Sequence, residues 1–397
     1  MLKRSLVLAW ACGAAALAED GDRMDAKFES FHDRNDVTAL SPVVSIQKSV
    51  SDHLSVQAEG QFDAVSGASR QWGTSGSGQN PPPDVVSGAS GSSSTVSHVL
   101  DGVTGASGKG NWEIRDGGRL GATWSDQGRV LSGGLYASTE NDYRSFSPSV
   151  SGSWDLGERN TTVSAGASWF FDRMDPYGAW GLVGGGSKRV QSYDAGIAQI
   201  LTPLLLVGAN ATFTRTTGYI GHPYNPVSTA DSGMVAENLP RAKDALALAG
   251  QAIQGYRTGG LLGSLDAEYR WYSDSWGLGS NTVTLRLNQH VSDATVVRLQ
   301  ARWYEQTGAA FSKATYRGDE LYRTADIRFF PFDSYLVGAK LASEFPEDWT
   351  SPFPRRWDLS YDHLWRDTHG NPLLYQFYSP GSWYTQWTFR LGLSWDL

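Results

Sequence analysis

Cysteine is almost missing from this sequence. Cys12 is the single one in 397 residues, and it lies in the opening stretch MLKRSLVLAWACGAAALA. That stretch has a basic start at Lys3 and Arg4, an apolar middle and the small-x-small ending Ala16-Leu17-Ala18, so a cleaved signal peptide is expected over 1–18, with the cut before Glu19. Trp10 stands where a lipoprotein signal needs a small residue, so Cys12 is not read as a lipidation site. A mature chain without thiols excludes a disulfide framework, a thiolate metal site and a CxxCH haem attachment.

Long apolar runs are missing as well. Past the signal the best run is about ten residues, around ILTPLLLVGA, well short of the roughly 20 that a transmembrane helix needs. Basic charge is also scarce: without Lys3 and Arg4 there are 31 basic residues against 41 acidic. Such a surface repels nucleic acid. What remains is an exported chain with only 19% charged residues, 45 glycines, and 48 aromatics among Trp, Tyr and Phe. A large extracellular β protein or an outer-membrane barrel fits that composition.

The sequence is rich in strict alternation. The final segment WTFRLGLSWDL sets Trp387, Phe389, Leu391, Leu393, Trp395 and Leu397 against Thr388, Arg390, Gly392, Ser394 and Asp396. LSVQAEGQF, TTVSAGASWFF, GSLDAEYRWY, TVTLRLNQ and VVRLQARWY repeat the pattern. Side chains on a strand alternate between its faces, so each segment has one oily and one wet side. These segments run about ten residues, the length that crosses a bilayer when tilted, whereas soluble strands average nearer five or six. Tight turns at 51–53, 125–128, 156–160, 202–203, 291–294 and 331–334 alternate with long links at 65–111, 172–188, 215–241, 307–319 and 344–382. Short turns on one rim and long loops on the other are the signature of a bacterial outer-membrane barrel.

The expected fold is therefore all-β: a transmembrane antiparallel up-and-down β-barrel of about sixteen strands, within a range of 14–18. Both termini facing the periplasm require an even count, and a first strand at 24–31 (MDAKFESF) brings the turns into order. The expected strands are 24–31, 37–50, 54–64, 112–125, 129–140, 146–155, 161–171, 189–201, 204–214, 242–253, 259–272, 280–290, 295–306, 320–330, 335–343 and 383–397. RRWDLSYDHLWR (355–366) and LLYQFY (373–378) are spare candidates that would raise the total to eighteen. Residues 19–397 form a single domain on this reading. Segment 65–111, Gly/Ser-rich with VSGAS at 65–69 and again at 86–90 and VTGAS at 103–107, is a flexible loop, a loop folded into the lumen or a partner-docking loop.

Several stretches resemble a family of bacterial outer-membrane barrels catalogued only as a domain of unknown function, number 3570. They are FDAVSGAS (62–69), STENDY (138–143), GYIGHPYNPV (218–227), LPRAKDALAL (239–248), YRWYSDSWGLGSNT (269–282) and RWYEQTGAAF (302–311), with 269–282 the most specific. The resemblance covers nearly the whole mature chain and implies a barrel; the family has no established activity or catalytic residues. Its members resemble one another in being encoded near a flavin-transferring enzyme, a small lipoprotein and a thioredoxin-like protein, which implies a cell-envelope electron-transfer setting and a periplasmic or lipoprotein partner. The chain departs from the usual closing phenylalanine of such barrels by ending Trp395-Asp396-Leu397, the strand through which barrel-assembly machinery is expected to bind.

Chemistry-bearing patterns are weak. The seven histidines, His32, His53, His98, His222, His290, His363 and His369, are scattered through expected turns and loops, and there is no GxSxG elbow. Ser97-His98 and Asp101 fall in low-complexity chain that cannot hold a rigid geometry. His363, Asp367 and His369 match no known metal-ligand spacing. GLVGGGSK lacks the GxxxxGK[ST] order of a phosphate loop. His222-Pro223-Tyr224-Asn225-Pro226 reads as a rigid loop element at the barrel mouth. No catalytic residue, cofactor or metal is expected.

The polar register is the informative set. Glu113, Arg115, Arg119, Asp266, Glu268, Arg270, Arg286, Arg298, Arg302, Asp326, Arg328 and Arg390 all fall on the non-lipid side of their expected strands, as lumen-lining candidates. An Arg or Lys facing lipid at mid-depth costs about 2–4 kcal/mol, whereas a wet lumen costs it little. These charges either form a salt-bridge ladder that stiffens the lumen or line a path for solutes, and the arginines of 259–306 hint at a weak anion preference. Nine tryptophans, from Trp112 to Trp395, sit mostly at strand ends, where an indole suits the membrane interface. A non-enzymatic pore or membrane scaffold in the outer membrane is expected. The barrel of an envelope redox assembly, holding a partner that carries the cofactor, is the alternative, and an outer-membrane hydrolase comes third. Copurification of a flavin- or haem-bearing partner would favour the alternative.

Overall fold

The computed structural model describes residues 22–33, 38–66, 112–175, 185–221, 227–346, 353–367, 369 and 384–396. The expected signal peptide, most of 65–111 with Ser97, His98 and Asp101, the 222–226 loop element and the spare strand at 373–378 lie outside the described residues.

The first nine strands are β1 (Arg23–Asp33), β2 (Thr38–Ser51), β3 (Leu54–Ser66), β4 (Trp112–Asp126), β5 (Arg129–Thr139), β6 (Tyr143–Leu156), β7 (Thr161–Met174), β8 (Gly186–Thr202) and β9 (Leu205–Gly218). Two short strands, β10 (Val227–Thr229) and β11 (Gly233–Val235), pair with each other in the link that follows. Then come β12 (Ala242–Thr258), β13 (Leu261–Asp274), β14 (Gly279–His290), β15 (Thr295–Gln306), β16 (Phe332–Glu344), β17 (Arg356–Asp367) and β18 (Tyr384–Asp396). All except β10 and β11 close into one antiparallel barrel of sixteen strands, with β18 returning to pair with β1. Closure removes the exposed strand edges that lipid could not satisfy.

Each wall strand follows its alternation. On β15, Leu299 is 50% exposed and pairs with Leu287 of β14, while Arg298 and Arg302 lie on the other face. On β8 and β5, Ile197 and Leu131 are 49% and 55% exposed. A belt of large apolar side chains in this condition is far more than a soluble surface tolerates; the belt is the face that meets lipid, so its alternate points into the barrel. Outward aromatics mark the belt's rims: Arg129 lies 4.7 Å above the exposed Trp154 ring, and His363 stacks on Trp365 and contacts Trp387.

Most turns are tight on the rim that holds both chain ends, the 345–355 link between β16 and β17 being the longer one. Gln127 and Gly128 join β4 to β5 with φ of 45° and 79°, the conformation whose twist matches a two-residue hairpin.

The structure reassigns one part of the expected order. Residues 320–330 are not a strand; they form an irregular segment with a 3-10 turn at Ile327–Phe329, and β17 supplies the missing strand. Residues 331–334 are consequently no short turn but the entry to β16, which runs opposite to the direction expected for 335–343. His363 likewise sits on a strand rather than in a loop, as do His32 on β1 and His290 at the end of β14.

Candidate functional site in the barrel lumen

The inward face of β13–β18 concentrates charge. Asp266 and Glu268 on β13 lie 2.9 and 3.3 Å from Arg286 on β14, where register places Asp266 directly opposite Arg286. Arg390 on β18 is paired with Glu29 of β1 and Asp362 of β17, bridging the strands on both sides of the closing seam. Lys340 on β16 lies 2.8 Å from Asp358 on β17. These pairs are not sealed away: the side chains of Arg286, Glu268 and Arg390 keep 27%, 29% and 39% of their surface accessible. Space for water therefore exists beside charges that face the inside of the barrel.

Three basic side chains of this wall have no carboxylate within 4 Å among the described residues. Arg298 donates to Asn288 Oδ1 at 2.7 Å and stands directly opposite Lys340. Arg302 lies two inward positions nearer the long-loop rim. Arg270 leans over the Tyr272 ring at 5.8 Å, with a buried Nη2 that donates to no acceptor.

The other wall is different. Inward positions of β5–β7 are mainly serine and glycine, such as Ser132, Gly134, Ser149, Ser151 and Gly166, which pair with one another across the ladder. Arg115 and Arg119 on β4 face inward too; Arg115 meets Glu140 at 3.4 Å and Arg119 sits 5.9 Å from the Tyr136 ring.

Of the twelve lumen-lining candidates, nine occupy the inward face of β4, β13, β14, β15 and β18. Glu113 holds the same register on β4, but its side chain lies outside the described set. Asp326 and Arg328 do not line the wall. They pair with each other at the 3-10 turn of the 307–331 loop, where Asp326 also accepts from the Arg328 backbone. Sequence reasoning missed Glu29, Lys340, Asp358 and Asp362. Their alternation is as clear as that of the others, but Asp358 and Asp362 lie in 355–366, which the sequence offers only as a spare strand.

At the long-loop rim the links after β9 and β15 fold together as a cap. Ala230 and Asp231 donate backbone bonds to Tyr316 and Arg317, and Asn238 exchanges two with Arg323. Trp276, from the β13–β14 turn, meets Phe311 and Phe329 edge-on at 5.3 Å each, and Leu239, Ala309 and Ile220 complete the cluster. Asp274 Oδ1 accepts from the Trp276 and Leu278 amides, so the turn presents Trp276 in a fixed pose. Four of the stretches on which the family resemblance rests, 218–227, 239–248, 269–282 and 302–311, each contribute to this cap. A cavity of about 190 Å³ opens inside it, lined in part by Tyr219, Glu237, Arg241 and Arg323. Small-molecule sites usually reach roughly 300–1,000 Å³, so the lumen is the stronger candidate.

A family model described as "Protein of unknown function (DUF3570)" matches residues 9–353. No curated protein matches the chain. Among solved structures, a bacterial polysaccharide outer membrane secretin is similar at 8% identity over 95% of this chain and 98% of that one, with a TM-score of 0.51. OmpT of Vibrio cholerae (9% identity, 96% and 99% coverage, TM-score 0.44) and OpdK of Pseudomonas aeruginosa (8%, 94% and 98%, 0.41) are more distant in shape. At such identities the first likeness shows the fold, that of an outer-membrane β-barrel, and nothing finer.

Proposed function

The chain belongs to the DUF3570 family, whose description assigns no activity, and we propose that it is a non-enzymatic, water-filled conduit of the outer membrane. The observation that carries this reading is the accessible charge inside the barrel. Arg286, Glu268 and Arg390 retain 27–39% of their side-chain surface while facing away from the apolar belt. In a lumen packed solid, such groups would be sealed against their partners. In one that holds water they stay hydrated, which lowers the cost of keeping mixed charge there. Rings of charged side chains in a wet bore are the means by which channels select solutes.

Export by the signal over 1–18 and assembly through β18 belong to the same proposal. The test is reconstitution of the purified chain, its folding first verified by heat-modifiable gel migration, into planar lipid bilayers. Stepwise ion conductance is expected. A folded, inserted barrel without conductance would contradict the proposal and leave a scaffold role.

A further inference from the structure

We infer that the lumen selects for anions, through a basic panel on β14–β16 whose working members are Arg298 and Arg302. This rests on the conduit reading and adds the class of solute. Inward positions of β14 and β15 carry three arginines and no carboxylate, and on β16 Lys340 is joined only by Glu344 at the strand end. Arg286 is engaged by Asp266 and Glu268, and Lys340 by Asp358. Arg298 and Arg302 make no ion pair within 4 Å among the described residues, with Asp362 and Glu268 acting on Arg302 only from further off, so theirs is the least neutralised charge on the panel.

Two features make the excess positive charge unusual. Arg298 and Lys340 are directly opposed across the β15–β16 ladder, where like charges repel. A small anion between them removes that repulsion and gains charge-assisted hydrogen bonds from a guanidinium whose Nε is already fixed on Asn288. Arg302, about 13 Å further along the strand, offers the next station, so the panel forms a staircase rather than a single trap.

Topology supplies the second feature. β5 lies eight strands from β15 in either direction round the ring, so it faces the panel across the bore. Its inward positions, Val130, Ser132, Gly134, Tyr136 and Ser138, carry no charge, and on β6 the first inward carboxylate is Asp155 near the short-turn rim. The inward carboxylates at mid-depth on that side stand off its centre, Glu59 on β3 opposite Arg119 and Asp194 on β8 opposite Gly166, so β5 itself sets no acid across from the panel. Between β15 and β5 the local field draws anions towards the panel and repels cations from it.

Zero-current potentials across bilayers holding the full mature chain, in a potassium chloride gradient, test this. The expected anion-to-cation permeability ratio is above 1. Arg298→Glu with Arg302→Glu should lower it by on the order of threefold or more, with Arg298→Gln and Arg302→Gln giving part of that shift. The glutamine pair changes the charge without adding an acid, so it answers the question if the glutamate pair does not insert. A conducting wild type that prefers cations, or a ratio that neither pair moves, overturns the inference while the conduit reading stands. Absence of conductance overturns the conduit reading itself.

Discussion

Arg390 shows how much one side chain does in this barrel. It sits on the last strand and reaches Glu29 on the first and Asp362 on the neighbour, so one guanidinium ties three strands at the point where the ring closes. With about two-fifths of its surface accessible, part of that attraction is screened by water. Arg390→Ala is expected to cost about 1–3 kcal/mol, seen as a lower temperature for the heat-modifiable transition, whereas Arg298→Ala should leave that temperature almost unchanged. Gly338 on β16 acts on the same network from the other side. A Cβ there would fall inside the Asp362 carboxylate and within 2.9 Å of Gln300 Nε2. Gly338→Ala should therefore displace Asp362 from Arg390 and lower the same transition, by about 1–3 kcal/mol. In the cap, the Glu320 carboxyl accepts from the Gly318 amide first, then from the Arg317 amide and the Lys313 ammonium, which hold its pKa down to about 2 from an ordinary 4.5. A depressed carboxyl stabilises above its unfolded value and loses that contribution as pH falls through the folded one. The 317–320 turn should accordingly hold above pH 4.5 and loosen towards pH 2, which an NMR titration of the Glu320 carboxyl measures; a midpoint near 4.5 would show that these hydrogen bonds do not form.

At the scale of elements, the two faces of each strand obey different solvents. Leu299→Arg places a guanidinium in the belt and should cost about 2–4 kcal/mol, measured as a lower urea midpoint in vesicles; equal tolerance at positions 299 and 302 would mean that the faces are misassigned. Alternation made most wall strands legible because period 2 is imposed by lipid on one side and a polar interior on the other. The sequence-level exception is instructive. ELYRTADIRFF (320–330) alternates as well as RWDLSYDHLWR of β17, yet only β17 finds partners on both sides. In 320–330 the same pattern serves a local end: Phe329 turns into the cap core and Ala325 is buried, while Thr324 accepts from the Asp326 amide and Asp326 from the Arg328 amide of the 3-10 turn. Local periodicity does not contain that distinction; pairing across the ladder does. Lys340 and Asp358 were equally visible as polar register positions, but their ion pair depends on which strands are neighbours. The cap was illegible for a related reason, since Trp276, Phe311 and Phe329 come from three separate segments and meet only once the barrel has brought their strand ends to one rim.

For the molecule as a whole, the closed sheet divides an apolar outer face from a charged inner one. The neighbouring residues Arg298 and Leu299 test that division within a single peptide unit, because one should face water and the other acyl chains. Cys12, the only cysteine in the sequence, lies within the expected signal over 1–18, so single cysteines can be placed at will in the mature chain. Arg298→Cys and Leu299→Cys, reconstituted in vesicles and exposed to a charged, membrane-impermeant thiol reagent, give the direct measurement. Rapid labelling at 298 and almost none at 299 is the predicted result. Labelling at 299 with protection at 298, or equal labelling at both, would contradict it.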